Sequence, residues 1–118
     1  MPSILVVEDD NYIRQFITVN LTMRGYDTLQ AATVQEGLQL LREFGPHLLI
    51  VDLKLPDMSG WDMLNAIDND PTLSKLPVIV MTAMPNAPNE SSYPNVVEKL
   101  IKPFDTIDLI RAVGAFVS

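Results

Sequence analysis

Three short apolar runs stand out along the chain, at residues 4–7, 48–51 and 78–81. Each is about as long as a β-strand, is rich in β-branched residues and is continuously apolar. Continuous apolar character is typical of strands buried on both faces, as in parallel sheets. Residues 27–31 and 96–101 carry more polar side chains, which suits strands at the edges of a sheet.

Between these runs, apolar residues recur three or four positions apart, as on one face of an amphipathic helix. Four such sets are Ile13, Phe16, Ile17 and Leu21; Val34, Leu38 and Leu41; Trp61, Leu64 and Ile67; and Leu109, Ile110, Val113, Phe116 and Val117. Gly25 follows the first set and Gly45 the second, as helix stop signals. Thr33 and Glu36 predict a capping box at the start of the second helix.

The predicted order is β-α-β-α-β-α-β, an irregular stretch, and then β-α. Such alternation favours a parallel sheet covered by helices on both faces. The irregular stretch, residues 83–94, contains Pro85, Pro88 and Pro94. It predicts a loop where the alternation would place a helix. Because no repeat or linker divides the chain, we expect one domain over residues 1–118.

Composition removes several classes of function. The chain has no cysteine and one histidine, which excludes disulfides, thiolate zinc sites, cysteine nucleophiles and histidine ligand clusters. The net charge of -7 argues against binding nucleic acid or an anionic membrane. Residues 8–10 are acidic and end the first apolar run, so no signal peptide is predicted. We therefore expect a cytoplasmic protein with no membrane or direct nucleic-acid partner.

Polar residues follow four of the predicted strands: Glu8, Asp9 and Asp10 after the first, Asp52 after the third, Thr82 after the fourth and Lys102 after the fifth. Ligands of open α/β sheets bind at this edge. Crowded carboxylates favour a hard cation such as Mg²⁺. A lysine and a hydroxyl can receive phosphoryl oxygens, and a carboxylate can be a nucleophile. Each residue alone also fits a simpler role in a helix start, a turn or a solvated surface. Together they predict a Mg²⁺-dependent phosphate site.

Four motifs carry a resemblance to a known family: ILVVEDD at 4–10, DLKLPDMSG at 52–60, VMTA at 80–83 and KPF at 102–104. In this order and spacing, they resemble the receiver domain of bacterial two-component response regulators, over nearly the whole chain. The resemblance implies a doubly wound five-stranded parallel sheet of order 2-1-3-4-5 flanked by helices. The prolines at 85–94 predict that the family's fourth helix is truncated or missing.

The resemblance also implies roles for residues of the predicted site. Asp52 would accept a phosphoryl group from a sensor histidine kinase, a phosphotransfer protein or a small phosphodonor. The residues implied to act on the phosphoryl group are Asp52, Thr82 and Lys102. Those implied to hold Mg²⁺ are Glu8, Asp9, Asp52 and the backbone carbonyl of Lys54. A cis peptide bond would precede Pro103, and an unknown downstream protein would read the modified state, so that the domain acts as a switch rather than a turnover enzyme.

Two departures from the family pattern, the proline-rich stretch in place of the fourth helix and Lys99, keep an alternative open. The family usually places an aromatic switch residue three positions before the conserved lysine, and this chain has Lys99 there. The alternative is a pseudo-receiver that binds partners without phosphorylation. An aspartyl-phosphate phosphohydrolase is disfavoured, because Lys54 stands where its acid–base carboxylate would be. For three other residues the simplest interpretation is kept. Trp61 is predicted to be a packing residue and His47 to have a structural role, and Tyr93 has no predicted role.

Overall fold

The computed structural model describes residues 2–54, 59–84 and 93–117. The strands in these ranges are Ser3–Val7 (β1), Asp27–Ala31 (β2), Leu48–Asp52 (β3), Val78–Thr82 (β4) and Val96–Ile101 (β5). The helices are Asn11–Met23 (α1), Val34–Phe44 (α2), Gly60–Asp68 (α3) and Thr106–Gly114 (α4), and a short 3₁₀ turn at Pro71–Leu73 precedes β4. Phe116 and Val117, which the apolar pattern assigned to the last helix, lie beyond its end.

All five strands run parallel in the order β2-β1-β3-β4-β5, which confirms the predicted doubly wound sheet. Val7 pairs with Val51, Asp52 with Met81, and Thr82 with Ile101. This register brings the carboxyl ends of β1, β3, β4 and β5 to one level of the sheet. The helix predicted to be truncated or missing would fall at residues 85–92, which lie outside the described residues.

Within the described residues, two helices pack on each face of the sheet. Leu5, Val7 and Leu49 pack on one side with residues of α2 and α3, and Ile4 and Val6 pack on the other with residues of α1 and α4. Every residue of β3 and β4 is buried, as the continuous apolar pattern predicted. Burial of each such aliphatic side chain contributes roughly 1.5–3 kcal/mol, so the central strands are a firm support for the residues at their ends.

The predicted signals at the ends of α2 are present. Thr33 Oγ1 accepts a hydrogen bond from the backbone N–H of Glu36 at 3.2 Å, and Glu36 Oε1 accepts one from the N–H of Ala32 at 3.1 Å. The capping box thus reaches one residue further back than expected. Gly45 ends the helix in the left-handed conformation at φ 56°, which glycine adopts without strain. None of the helices in the described ranges has the length and apolar character needed to cross a bilayer.

Candidate functional site

The sheet edge predicted to carry the site holds an open cleft of about 770 Å³. Glu8 follows β1, Asp52 and Thr82 end β3 and β4, and Lys102 follows β5, and all four side chains line the cleft. Glu8 has no exposed surface, and Asp52 and Thr82 are each 5% exposed. The structure therefore brings together polar residues that are far apart in the sequence and places them on the floor of one cleft.

Lys102 joins the two buried carboxylates. Its Nζ lies 2.7 Å from Glu8 Oε1 and 2.6 Å from Asp52 Oδ2. Its backbone N–H donates to the carbonyl of Thr82 at 2.8 Å, and a cis peptide bond joins it to Pro103, as the resemblance implied. The strand pattern predicted that Lys102 lies near Asp52, but nothing in the sequence indicated its second ion pair, with Glu8.

Asp52 is oriented through both of its carboxylate oxygens. Oδ2 accepts from Lys102, and Oδ1 accepts from the backbone N–H of Lys54 at 2.9 Å. The backbone behind it is equally constrained, because the N–H of Gly60 donates to the carbonyl of Leu53 at 2.9 Å. The carboxylate is thereby presented to the cleft in a fixed orientation.

Three acidic residues form a cluster that fits a divalent cation. One carboxylate oxygen each from Glu8, Asp9 and Asp52 lies within 4.8 Å of the other two. Asp9 is exposed at the mouth of the cleft, whereas the other two carboxylates are buried. Hard oxygen ligands at this spacing suit Mg²⁺, which usually keeps several of its waters. Lys102 supplies one positive charge against three carboxylates, so the cluster retains an attraction for a cation.

Burial changes the acid–base properties of the cluster. The pKa of Glu8 is raised to about 7, chiefly by burial. The hydrogen bond from Lys102 lowers this pKa, and neighbouring Asp52 raises it further. Burial alone would lower the pKa of Lys102, but its hydrogen bonds to Asp52 and Glu8 outweigh that effect and raise it. Lys102 therefore stays charged at neutral pH. A cation that enters the cluster competes with a proton on Glu8, because metal ligands must be deprotonated.

The turn between β1 and α1 sets the position of the acidic pair. Asp10 caps α1 by accepting from the N–H of Ile13 at 3.0 Å, which is the simpler role considered for it. The N–H of Asp10 donates to Glu8 Oε2 at 3.2 Å, and Arg14 Nη1 donates to the carbonyl of Glu8 at 2.7 Å. The contact from Arg14 was not predicted, since an arginine in the first turns of a helix resembles any solvated surface residue.

One aromatic residue lines the cleft, and a second packs against it. Trp61 lines the cleft and is 36% exposed, and its ring centroid lies 5.9 Å from that of Tyr93. The hydroxyl of Tyr93 donates to Asn65 Oδ1 at 3.1 Å. Trp61 thus packs against another side chain, as expected, and also faces the site. Tyr93, which had no predicted role, holds the segment before β5 against α3.

His47 and Lys99 lie away from the cleft, at the positions relative to the strands that the sequence predicted for them. His47 Nδ1 accepts from the backbone N–H of Ser3 at 3.1 Å, so the histidine joins the start of β3 to β1. This contact agrees with a structural role. Lys99 lies within β5 and is half-buried, and its N–H donates to Glu98 Oε1 at 2.9 Å.

The similarity of the chain to known proteins agrees with the geometry of the cleft. Residues 4–114 match the family model described as the response regulator receiver domain. The chain is 31% identical over 117 residues to the DNA-binding dual master transcriptional regulator RpaA of Synechocystis sp., covering 98% of this chain and 48% of that protein. It is 32% identical over 114 residues to the DNA-binding response regulator MtrA of Mycolicibacterium smegmatis, covering 92% and 49%. The chain therefore spans about half the length of these relatives.

Solved structures agree. The response regulator TrrA of Thermotoga maritima, in complex with Mg²⁺-BeF, has a TM-score of 0.87 at 26% identity and covers 99% of this chain and 100% of that one. The chemotaxis protein CheY4 of Vibrio cholerae shares the fold, with a TM-score of 0.88 at 23% identity and 99% of both chains covered. The chain therefore belongs to the response regulator receiver domains, the signalling switches of two-component systems.

Proposed function

We propose that this chain is a phosphoacceptor switch in which Asp52 receives a phosphoryl group from a sensor histidine kinase, a phosphotransfer protein or a small phosphodonor. The observation that carries the proposal is the position of Asp52. It is 5% exposed at the end of a central strand and 2.6 Å from Lys102, and it faces an open cleft. The modified state would shift the population of a protein-binding surface that a downstream protein recognises.

In the proposed reaction, a carboxylate oxygen of Asp52 forms a bond to phosphorus, while the bond between phosphorus and the donor breaks and its electron pair leaves with the donor. Lys102 is placed to neutralise an oxygen of the arriving group, because its ammonium already lies at Asp52 Oδ2. Thr82 Oγ1 accepts a hydrogen bond from the N–H of Met84 at 3.0 Å, so its own proton can be donated to another phosphoryl oxygen.

The acidic cluster supports a requirement for Mg²⁺. Glu8, Asp9, Asp52 and the backbone carbonyl of Lys54 would hold the ion. When bound, Mg²⁺ neutralises charge on the oxygens of a transferring phosphoryl group. Buried Glu8 and exposed Asp9 approach the cluster from the same turn, and Asp52 completes it from β3. The pair of Lys102 and a divalent cation would then balance the charge of Asp52 and its phosphoryl group.

The output is proposed to pass through another protein or a further domain. RpaA and MtrA carry the description DNA-binding, but this chain spans about half of each. The net charge of -7 opposes direct contact between these 118 residues and a phosphate backbone. We therefore expect the surface that changes on phosphorylation to recognise protein rather than nucleic acid.

The direct test of the acceptor is intact-mass measurement after incubation with acetyl phosphate and Mg²⁺. We expect the unmodified chain to gain the mass of one phosphoryl group, and Asp52→Asn and an EDTA-treated sample to gain none. Asp68→Asn, which removes an exposed carboxylate of α3, is the matched control and should be modified as the parent is. Full modification of Asp52→Asn would refute the assignment. A parent chain that takes no phosphoryl group from this donor or from a histidine kinase would favour the pseudo-receiver alternative, which Lys99 keeps open.

Mg²⁺ should also stabilise the chain in the absence of any phosphodonor. A cation at ten times its dissociation constant adds about 1.4 kcal/mol to the free energy of unfolding. Thermal denaturation should therefore show a rising Tm with added MgCl₂ in the parent and no rise in an Asp9→Asn, Asp52→Asn double variant. An equal rise in the two proteins would mean that the ion binds outside the acidic cluster.

A further inference from the structure

Arg14, in the second turn of α1, uses its guanidinium to connect three parts of the structure. Nη1 donates to the carbonyl of Glu8 at 2.7 Å, and Nε donates to Gln30 Oε1 on β2 at 3.3 Å. Nη2 donates to Asn11 Oδ1 at the start of the same helix. An arginine with donors on two sides of its planar head is held in one orientation by such contacts. It is half-exposed and outside the cleft, so no contact with a phosphoryl group is implied.

The bond to Glu8 acts on the peptide that leads to Asp9. The carbonyl of Glu8 and the N–H of Asp9 belong to one planar group, so fixing the oxygen fixes the plane. The N–H of Glu8 is already held by the carbonyl of Ala31 at 3.0 Å. With Arg14 on the carbonyl, the backbone of Glu8 is held on both sides at the point where β1 turns into α1.

Asp9 depends on this backbone more than the other members of the acidic cluster do. The carboxylates of Glu8 and Asp52 each accept a hydrogen bond from Lys102. No hydrogen bond reaches the carboxylate of Asp9 from the described part of the chain, and the side chain is exposed. Its place within 4.8 Å of its neighbours therefore follows from the backbone that carries it.

We propose that Arg14 is a positioning residue that holds the Glu8–Asp9 peptide, and through it the Asp9 carboxylate, in the geometry that binds Mg²⁺. The inference rests on the proposed function, because it assumes that the acidic cluster is the Mg²⁺ site. Groups that orient metal ligands without touching the metal commonly change affinity by about 10–100-fold when removed.

The charge of Arg14 and its positioning role predict opposite effects of its removal on the affinity for Mg²⁺. A positive guanidinium beside the cluster repels a cation, so its removal would strengthen Mg²⁺ binding if charge alone mattered. Loss of the hydrogen bond to the Glu8 carbonyl would free the peptide and weaken binding. The sign of the change in affinity therefore separates the two effects.

The test is calorimetric titration with MgCl₂, without phosphodonor, of the parent and of Arg14→Met, which keeps an apolar stem and removes the donors. We expect Mg²⁺ to bind Arg14→Met about tenfold more weakly. Arg24→Met is the matched control, because it removes the same charge from an exposed arginine at the far end of α1, and its affinity should equal that of the parent. Arg14→Lys keeps the positive charge but replaces the planar guanidinium with a compact ammonium group. Its affinity for Mg²⁺ should fall between those of the parent and Arg14→Met.

Two further variants keep the test decisive. Gln30→Leu leaves Arg14 in place but removes one of its supports, so it should weaken binding in the same direction by a smaller factor, and it serves if Arg14→Met does not fold. In an Asp9→Asn background, Arg14→Met should cost no further affinity, since the positioned carboxylate is absent.

The outcomes distinguish the inference from the proposed function. Mg²⁺ binding to Arg14→Met as tight as to the parent, or tighter, would overturn the role of Arg14 and leave the acidic cluster as the metal site. A parent chain that binds no Mg²⁺ would overturn both. An equal loss of Mg²⁺ affinity in Arg14→Met and Arg24→Met would show an effect that does not depend on the contact with Glu8, and would also overturn the positioning role.

Discussion

Gly60→Ala is expected to lower the free energy of unfolding by about 1–3 kcal/mol, although alanine is the better helix former. Gly60 opens α3 directly behind the end of β3, which carries Asp52. An added Cβ would meet the carbonyl oxygen of Asp52 and would lie 2.6 Å from Leu53 Cα. These are backbone atoms, so no rotamer change can relieve the contact and the strand end that carries Asp52 must shift. Phosphoryl uptake by Gly60→Ala should therefore also be slower.

Two other glycines provide controls within the same chain. Gly114 has no atom within 4 Å of an added Cβ, so Gly114→Ala should leave stability unchanged or raise it by up to about 1 kcal/mol through helix propensity. At Gly37, the added Cβ would lie 2.9 Å from Val7 Cγ2 and 3.1 Å from Met63 Cε, which are side chains that can move. Urea denaturation should rank Gly60→Ala as the most damaging of the three. If Gly60→Ala were as stable as Gly114→Ala, α3 could not approach the backbone of Asp52 as closely as the structure has it.

The sequence predicted which residues meet at the site because strand order and chain direction determine which strand ends lie together. Once residues 4–7, 48–51 and 78–81 are parallel central strands, the residues that follow them share one edge of the sheet. Glu8, Asp52 and Thr82 therefore had to meet, and the structure has them in one cleft. The edge strands β2 and β5 were also predicted at their observed bounds, since their polar residues tolerate exposure.

The remaining features depend on side-chain geometry that no periodicity encodes. The second ion pair of Lys102, with Glu8, needs the length of the lysine and the depth of a carboxylate with no exposed surface. The bond from Arg14 to the Glu8 carbonyl needs the orientation of one helix turn relative to the end of β1. Tyr93 meets Trp61 through the path of the chain before β5. Such contacts join residues far apart in the sequence, and their residue types are as common on solvated surfaces.

The burial of Glu8 should make the stability of the chain depend on pH in the absence of Mg²⁺. The pKa of Glu8 rises from an ordinary 4.5 to about 7 on folding, chiefly through burial. Between these values the folded state keeps a proton that the unfolded chain has released, so the free energy of unfolding falls as pH rises. The contribution is fully present below pH 4.5 and is lost as pH passes 7. Its size is on the order of 3 kcal/mol, because a tenfold change in proton affinity corresponds to about 1.36 kcal/mol.

Glu8→Gln should remove this dependence, because the amide keeps the shape of the side chain but does not titrate. In urea denaturation with EDTA, we expect the parent to lose on the order of 3 kcal/mol between pH 5 and pH 8, and Glu8→Gln to lose much less. Glu43→Gln removes an exposed carboxylate of α2 and should retain the slope of the parent. Saturating Mg²⁺ should flatten the slope of the parent alone, since the cation takes the place of the proton at Glu8. Equal slopes for the parent and Glu8→Gln would show that another group titrates in this range and that the buried carboxylate is already charged.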